Sequence, residues 1–254
     1  MKKIINLILN TKLFNLKLNK NTESLYDESV IMNLFGIQKF KKILIISFNK
    51  KELIKDYILN NQYEYLNVFD PSLRGLDASE NVLLNSFLPI NGDNFDKYYA
   101  KSEYDLNATF FKKDLRWISY NNDIEYKPIK KSGNIINENY DLLFLALNGS
   151  ELSYMENIGN LKDRIKIVKF QFSKFNVDSR TYLKDYFMFF YEKEFISFKL
   201  SNKKLTRIQK YNTSLENDFE EIYYFVNKKF LTKINFKSSF EYKLENYVDK
   251  EIIE

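Results

Sequence analysis

Six consecutive apolar side chains, Leu142, Leu143, Phe144, Leu145, Ala146 and Leu147, are followed at once by Asn148, Gly149 and Ser150. A run this short between turn residues reads as a strand, and being apolar on both faces it must be covered on both. The residues after it keep the pattern. Positions 151–157 open a helix, 165–172 form a second apolar segment, and 173–180 a polar turn. An aromatic helix over 181–193 and a third strand over 195–200 follow. Strands alternating with helices at this spacing require crossover connections, so the sheet is mostly parallel with helices on both faces.

The same unit occurs earlier in the chain. Ile43, Leu44, Ile45 and Ile46 make a first strand, Ser47, Phe48 and Asn49 a turn, and 50–60 a helix. A second strand over 65–69 stops at Asp70 and Pro71. Ahead of the first strand, 29–40 reads as a short helix with Ile31, Leu34 and Phe35 inward. Between the two units, 73–86 reads as a helix, and short strands are expected over 97–104, 117–120 and 124–129. Beyond 200, strands are expected over 205–211 and 222–230, then a charged tail. In the first twenty residues Ile4, Ile5, Ile8, Leu9, Leu13 and Leu16 fall at helical spacing, with Lys2, Lys3, Lys12 and Lys17 largely off that stripe. This basic amphipathic helix is expected to pack on its own domain or on a second copy, the alternative being an anionic membrane surface. The expected organisation is an N-terminal helical arm over 1–40, an α/β domain over 41–230 and a tail over 231–254.

Absences narrow the chemistry. The 254 residues contain no Cys and no His. Disulfides, thiolate nucleophiles, zinc–cysteine sites and Ser-His-Asp hydrolysis are excluded, and acid–base work would fall to Asp, Glu, Lys or Tyr. No metal site is expected; any metal would be a hard cation held by oxygens. The net charge of +5 is spread among interspersed acids, with no basic stripe carrying interleaved aromatics, so no nucleic-acid partner is expected. No apolar run reaches the about 20 residues that span a bilayer. The start of the chain lacks a small-residue cleavage site after Ile4 to Leu9, and a cytoplasmic protein is expected.

One stretch resembles a known family. Leu145, Ala146, Leu147, Asn148, Gly149, Ser150, Glu151 and Leu152 are similar to the "IDVEGAEL" segment of FkbM-type methyltransferases, which use S-adenosylmethionine. The strand over 165–172 resembles that family's next strand, and Asn176 to Tyr182 with Lys184 to Phe187 resemble its "NIDSRTYFKDFY" pattern. Leu205 to Tyr211, with Glu216 after it, resembles the closing "L..I.KY" strand. The resemblance implies a Rossmann-like class I methyltransferase fold with one reversed strand near its edge. It implies S-adenosylmethionine as cofactor if the site is functional, with Asp70 accepting the ribose hydroxyls and Ser47 and Asn49 in the cofactor loop. It also implies Asn148 and Glu151 as substrate-binding groups and O-methylation of a sugar or other hydroxylated acceptor. The turn over 173–180 follows a central parallel strand, where ligands of open α/β sheets gather, so Asp178 and Arg180 are expected to bind substrate, with Ser179 or Asp178 capping the next helix. The alternative is that Asp178 and Arg180 pair only with each other or with the loop backbone.

The chain departs from that pattern where the cofactor would sit. The family's glycine-containing loop is replaced by Ser47, Phe48, Asn49, Lys50 and Lys51, and no glycine occurs between Gly36 and Gly75. Such glycines let a backbone approach a cofactor where a Cβ would collide. Three positions that carry acids in the family hold Ala146, Asn148 and Gln171. Two readings follow: a relative that keeps the fold, has lost the cofactor site and acts in a non-catalytic or regulatory role in surface-glycan modification, and an active, divergent O-methyltransferase. The departures favour the first.

Overall fold

The computed structural model describes residues 28–233 except 61, 74, 87, 89–96, 101–124, 129–137, 158–160, 202–203 and 220. The expected N-terminal helix, the strand over 117–120 and nearly all of the tail lie outside the described residues. Ten strands and seven α-helices are described. The strands are β1 (Phe40–Ser47), β2 (Tyr63–Phe69), β3 (Val82–Asn85), β4 (Lys97–Ala100), β5 (Glu125–Pro128), β6 (Tyr140–Ala146), β7 (Ile165–Phe172), β8 (Phe195–Ser201), β9 (Lys204–Ile208) and β10 (Glu221–Asn227). The helices are α1 (Ser29–Phe35), α2 (Lys51–Asn60), α3 (Glu151–Asn157), α4 (Leu161–Arg164), α5 (Lys174–Asp178), α6 (Leu183–Glu192) and α7 (Lys228–Lys233).

Eight strands form one sheet in the order β3-β2-β1-β6-β7-β10-β8-β9, while β4 and β5 pair separately. The pairings from β3 through β7 are parallel, and β10 runs antiparallel to both β7 and β8. An open parallel sheet whose order reverses between β1 and β6, with one antiparallel strand slotted in near the far edge, is the class I methyltransferase arrangement. The hairpin strand β9 extends that edge.

Side-chain alternation feeds two cores. Ile43, Ile45, Leu142, Phe144 and Ile167 face one layer with α1 and α2; Leu44, Ile46, Leu143, Leu145, Val168 and Phe170 face the other with α3 and α6. The second layer is aromatic. Phe190 stacks on Phe225 at 3.8 Å and Tyr186 on Phe170 at 4.3 Å.

One residue breaks the apolar pattern of the first layer. Lys169, in the middle of β7, is fully buried and ion-paired with the equally buried Glu28, which precedes α1. The hydroxyls of Tyr57 and Tyr224 donate to the two Glu28 oxygens, the latter at 2.8 Å. The ammonium also lies 4.8 Å from the Phe144 ring centroid. A buried charge needs a partner and further hydrogen bonds, and here both are supplied.

Three expectations are corrected, the first being the polar turn expected over 173–180, which holds the short helix α5 started by Ser173 and Asn176. The helix expected over 73–86 is absent; Val82–Asn85 is instead a strand paired in parallel with Leu66 to Phe69. Asn85 Nδ2 donates to Asn67 Oδ1 at 2.9 Å and to the Val68 carbonyl at 3.0 Å, fixing that edge. The strand expected over 222–230 ends at Asn227, whose Oδ1 accepts from the Lys229 N–H at 2.9 Å and so starts α7.

Candidate functional site

In an open α/β sheet the ligand crevice lies beyond the carboxyl ends of the strands, where the order reverses. Here that place is between β1 and β6. Ser47 pairs with Ala146, and the Phe48 N–H donates to the Ala146 carbonyl at 3.0 Å. The crevice therefore begins with Phe48 to Lys50 on one side and Leu147 to Glu151 on the other.

The first side is closed by Asp70. Its Oδ1 accepts from the Asn49 N–H at 3.1 Å, the Ser72 N–H at 2.8 Å and the Ser72 hydroxyl at 2.6 Å. Its Oδ2 accepts from the Ser47 hydroxyl at 2.6 Å and the Lys50 N–H at 2.8 Å. A carboxylate has about four lone-pair sites, so this one is saturated. The side chain is fully buried, and burial pushes its pKa up against the pull of the Lys50, Ser47 and Ser72 donors. The carboxylate sits before the first turn of α2, where backbone N–H groups point outward and a negative charge is stabilised. Asn49 reaches that geometry with a φ of 52°, a left-handed conformation that asparagine tolerates. The buried Phe48 ring belongs to the same apolar cluster as Phe69, Leu88 and Leu147.

Because three N–H donors depend on Asp70, its loss is a stability defect. Asp70→Asn should cost about 1–3 kcal/mol in chemical denaturation, since an amide turns donors toward donors. A change within about 0.3 kcal/mol would mean the clasp is not holding α2.

The second side is organised by Glu151, in the first turn of α3. Its Oε1 accepts from the Leu147 N–H at 2.8 Å. Its Oε2 accepts from the Gly149 N–H at 3.0 Å, Asn176 Nδ2 at 3.0 Å and the Tyr186 hydroxyl at 3.2 Å. Burial raises its pKa, with the backbone, Tyr186 and Asn176 bonds opposing. One carboxylate thus joins the end of β6 to α5 and α6. The Asn176 Oδ1 reaches back to the Ser173 N–H at 2.8 Å and starts α5.

The sequence-derived site residues are distributed unevenly. Ser47, Asn49 and Asp70 come together in one cluster and Asn148 and Glu151 in another, on neighbouring strand ends. Of these five, Asn148 is the most accessible and is still only 8% exposed. Arg180 is exposed in a left-handed turn at φ 60°. Asp178 lies in α5, and its side chain is outside the described residues. Ser179 does not cap α6; its hydroxyl lies 2.7 Å from the Asn176 carbonyl and 2.9 Å from the Gly149 carbonyl, the two acceptors sharing its one hydrogen. The cap of α6 comes from Glu216, which accepts from the Leu183 N–H at 2.9 Å and the Lys184 N–H at 3.0 Å. Ser72 was invisible as a partner because it matters only through its distance from Asp70.

No family model matches this sequence, and no curated protein matches it. Among solved structures, the chain is similar to the methyltransferase domain of bacterial CtHen1-CN, at 10% identity over 82% of this chain and 98% of that one, with a TM-score of 0.38. It is also similar to M. capricolum TrmK in complex with S-adenosyl-homocysteine, at 10% identity over 89% and 90%, with a TM-score of 0.35. A third likeness is to the plantazolicin methyltransferase BpumL, also in complex with that product, at 7% identity over 86% and 89%, with a TM-score of 0.41. At these values the likenesses carry no argument about chemistry. The strand order is what places the chain in the methyltransferase fold. Among the described residues no group of acids is arranged to hold a metal ion, and no helix is long and apolar enough to cross a membrane.

Proposed function

We propose that this chain is a non-catalytic relative of the class I methyltransferases, one that keeps the fold but does not use S-adenosylmethionine. The observation that carries the reading is the saturated Asp70. A ribose would need this carboxylate to accept its hydroxyls, and every acceptor position is taken by Ser47, Asn49, Lys50 or Ser72. Opening it would strand buried N–H groups, at about 1–3 kcal/mol each. Phe48 supports the same reading, because its buried ring stands in the loop where a cofactor requires close backbone approach. The residues present therefore do not fit the cofactor.

The resemblance to FkbM-type enzymes supplies the setting, surface-glycan modification, in which such a relative acts by binding a partner or a hydroxylated acceptor. An active O-methyltransferase would require Asp70 to release its own chain on binding. Thermal denaturation with and without S-adenosylmethionine at millimolar concentration tests this. The expected result is an unchanged melting temperature. A ligand present at 100 times its dissociation constant would stabilise the fold by about 2.7 kcal/mol and raise that temperature by several degrees, which would reinstate the enzyme.

A further inference from the structure

Away from those strand ends, α6, β8 and β9 border a groove of about 450 Å³. That is room for a few large side chains, not for a folded domain. Phe187, Met188, Tyr191 and Phe195 line it. Met188 is 53% and Tyr191 75% exposed, one turn apart on the outer side of α6. Large apolar side chains left in water beside a cavity mark a place where something docks. Charge does not select the occupant. Lys184, Arg207 and Lys228 also line the groove, but Arg207 and Lys228 have partners of their own and Glu194 interacts with Lys228. Glu216 accepts from the Lys184 N–H and from the hydroxyl of Tyr211, another lining residue. The groove therefore selects by apolar surface.

The described chain stops at Lys233, the end of α7, and α7 opens on Lys228 at the groove itself. In the sequence that follows, Phe240, Leu244, Tyr247 and Val248 stand at i, i+4, i+7 and i+8, one apolar side at helical spacing, with Asn246 and Asp249 opposite. α7 is about 9 Å long and carries Phe230 and Leu231 onto the first core layer. The stretch 234–239 spans up to about 20 Å when extended, enough to lead the chain back around β9, the edge strand of the sheet.

We propose that residues 240–248 of the same chain dock in this groove, their apolar side on Met188, Tyr191 and Phe195. An amphipathic segment laid on a hydrophobic groove anchors through this i, i+4, i+7 spacing. A tether this short holds the segment at about millimolar effective concentration, so modest apolar contact keeps it in place. The tail is then an intramolecular cover for α6, and whatever displaces it uncovers an apolar face. The other apolar stripe, Ile4 to Leu16, joins the domain at Glu28, which Lys169, Tyr57 and Tyr224 hold inside the first layer and not at the groove. The groove is separate from the Asp70 cluster, so the inference does not rest on the reading above.

The sequence has no cysteine, so disulfide trapping in the full chain reports this contact without background. Met188→Cys with Val248→Cys is treated with oxidised glutathione and compared with Met188→Cys with Asn246→Cys, which lies on the opposite side of the segment. A disulfide requires Cα atoms within about 7 Å. The expected result is a bond within one chain in the first pair, forming about tenfold or more faster than in the second. Adding Leu244→Asp to the first pair should remove that advantage. Met188→Cys is common to all of these proteins, so its own effect on the fold cancels. Equal rates from both sides of the segment, or a first-pair rate that Leu244→Asp leaves unchanged, would overturn the proposal. So would a bond between two chains, which makes the occupant a second copy. Faster trapping of Met188→Cys with Leu9→Cys would overturn it too, because the occupant would then be the N-terminal segment.

Discussion

Glu28→Ala is expected to lower the free energy of unfolding by about 3–5 kcal/mol, a large share of what holds an ordinary domain together. The substitution leaves the Lys169 ammonium inside the first core layer, fully buried and without its carboxylate. It also strips the hydroxyls of Tyr57 and Tyr224 of the oxygens they donate to. Lys169→Met removes the other half and should cost less, since the two tyrosines still stabilise Glu28. The double variant Glu28→Leu with Lys169→Met should recover most of the loss, because apolar side chains of similar size suit that site. Denaturant unfolding of the wild type, Glu28→Leu, Lys169→Met and the double variant forms a cycle that isolates the pair. A single Glu28→Ala effect under about 1 kcal/mol would mean that water or another group reaches Lys169.

Gly149→Ala should be nearly as damaging, for a steric reason. At φ 91° the backbone of this residue is strained for any L side chain. A Cβ there would lie 2.3 Å from the carbonyl oxygen of Phe175 and 2.7 Å from its carbon. Those are backbone atoms of α5, held by the Ser179 N–H at 3.0 Å, so the turn after β6 and α5 must separate. That separation would pull on the Glu151 bonds to Gly149 and Asn176. A loss of about 3 kcal/mol or more is expected in denaturant unfolding. The milder Ser179→Ala, which removes only the hydroxyl shared between the Gly149 and Asn176 carbonyls, should cost about 1 kcal/mol. Wild-type stability for Gly149→Ala would show that α5 is not packed as described.

What the sequence made legible follows from how far each signal travels along the chain. The double-sided run at Leu142 to Leu147 and the alternation after it dictated a parallel sheet, and β6, β7 and β8 lie where that periodicity put them. The strand Val82–Asn85 was hidden because Leu83 and Leu84 carry no local preference strong enough to outweigh a helical reading. Its pairing with Leu66 to Phe69 is long-range, and such tertiary context overrides propensity. Lys169 is a legible signal. A lysine inside an apolar strand of a covered sheet demands a buried acid, yet nothing local identifies Glu28, 141 positions earlier, as that acid. In the candidate site, Asp70 at a strand end and Phe48 in place of glycine were both visible in the sequence. That Asp70 is consumed by its own loop was not, because saturation depends on Ser47, Asn49, Lys50 and Ser72 converging in three dimensions.

Isothermal titration of the full chain with S-adenosylmethionine asks directly whether that closed cluster admits the cofactor. The predicted result is no heat of binding beyond dilution at ligand concentrations up to about 1 mM, a dissociation constant weaker than about −4 kcal/mol would give. A dissociation constant in the low micromolar range, about −8 kcal/mol, and weakened by Asp70→Ala, would contradict it.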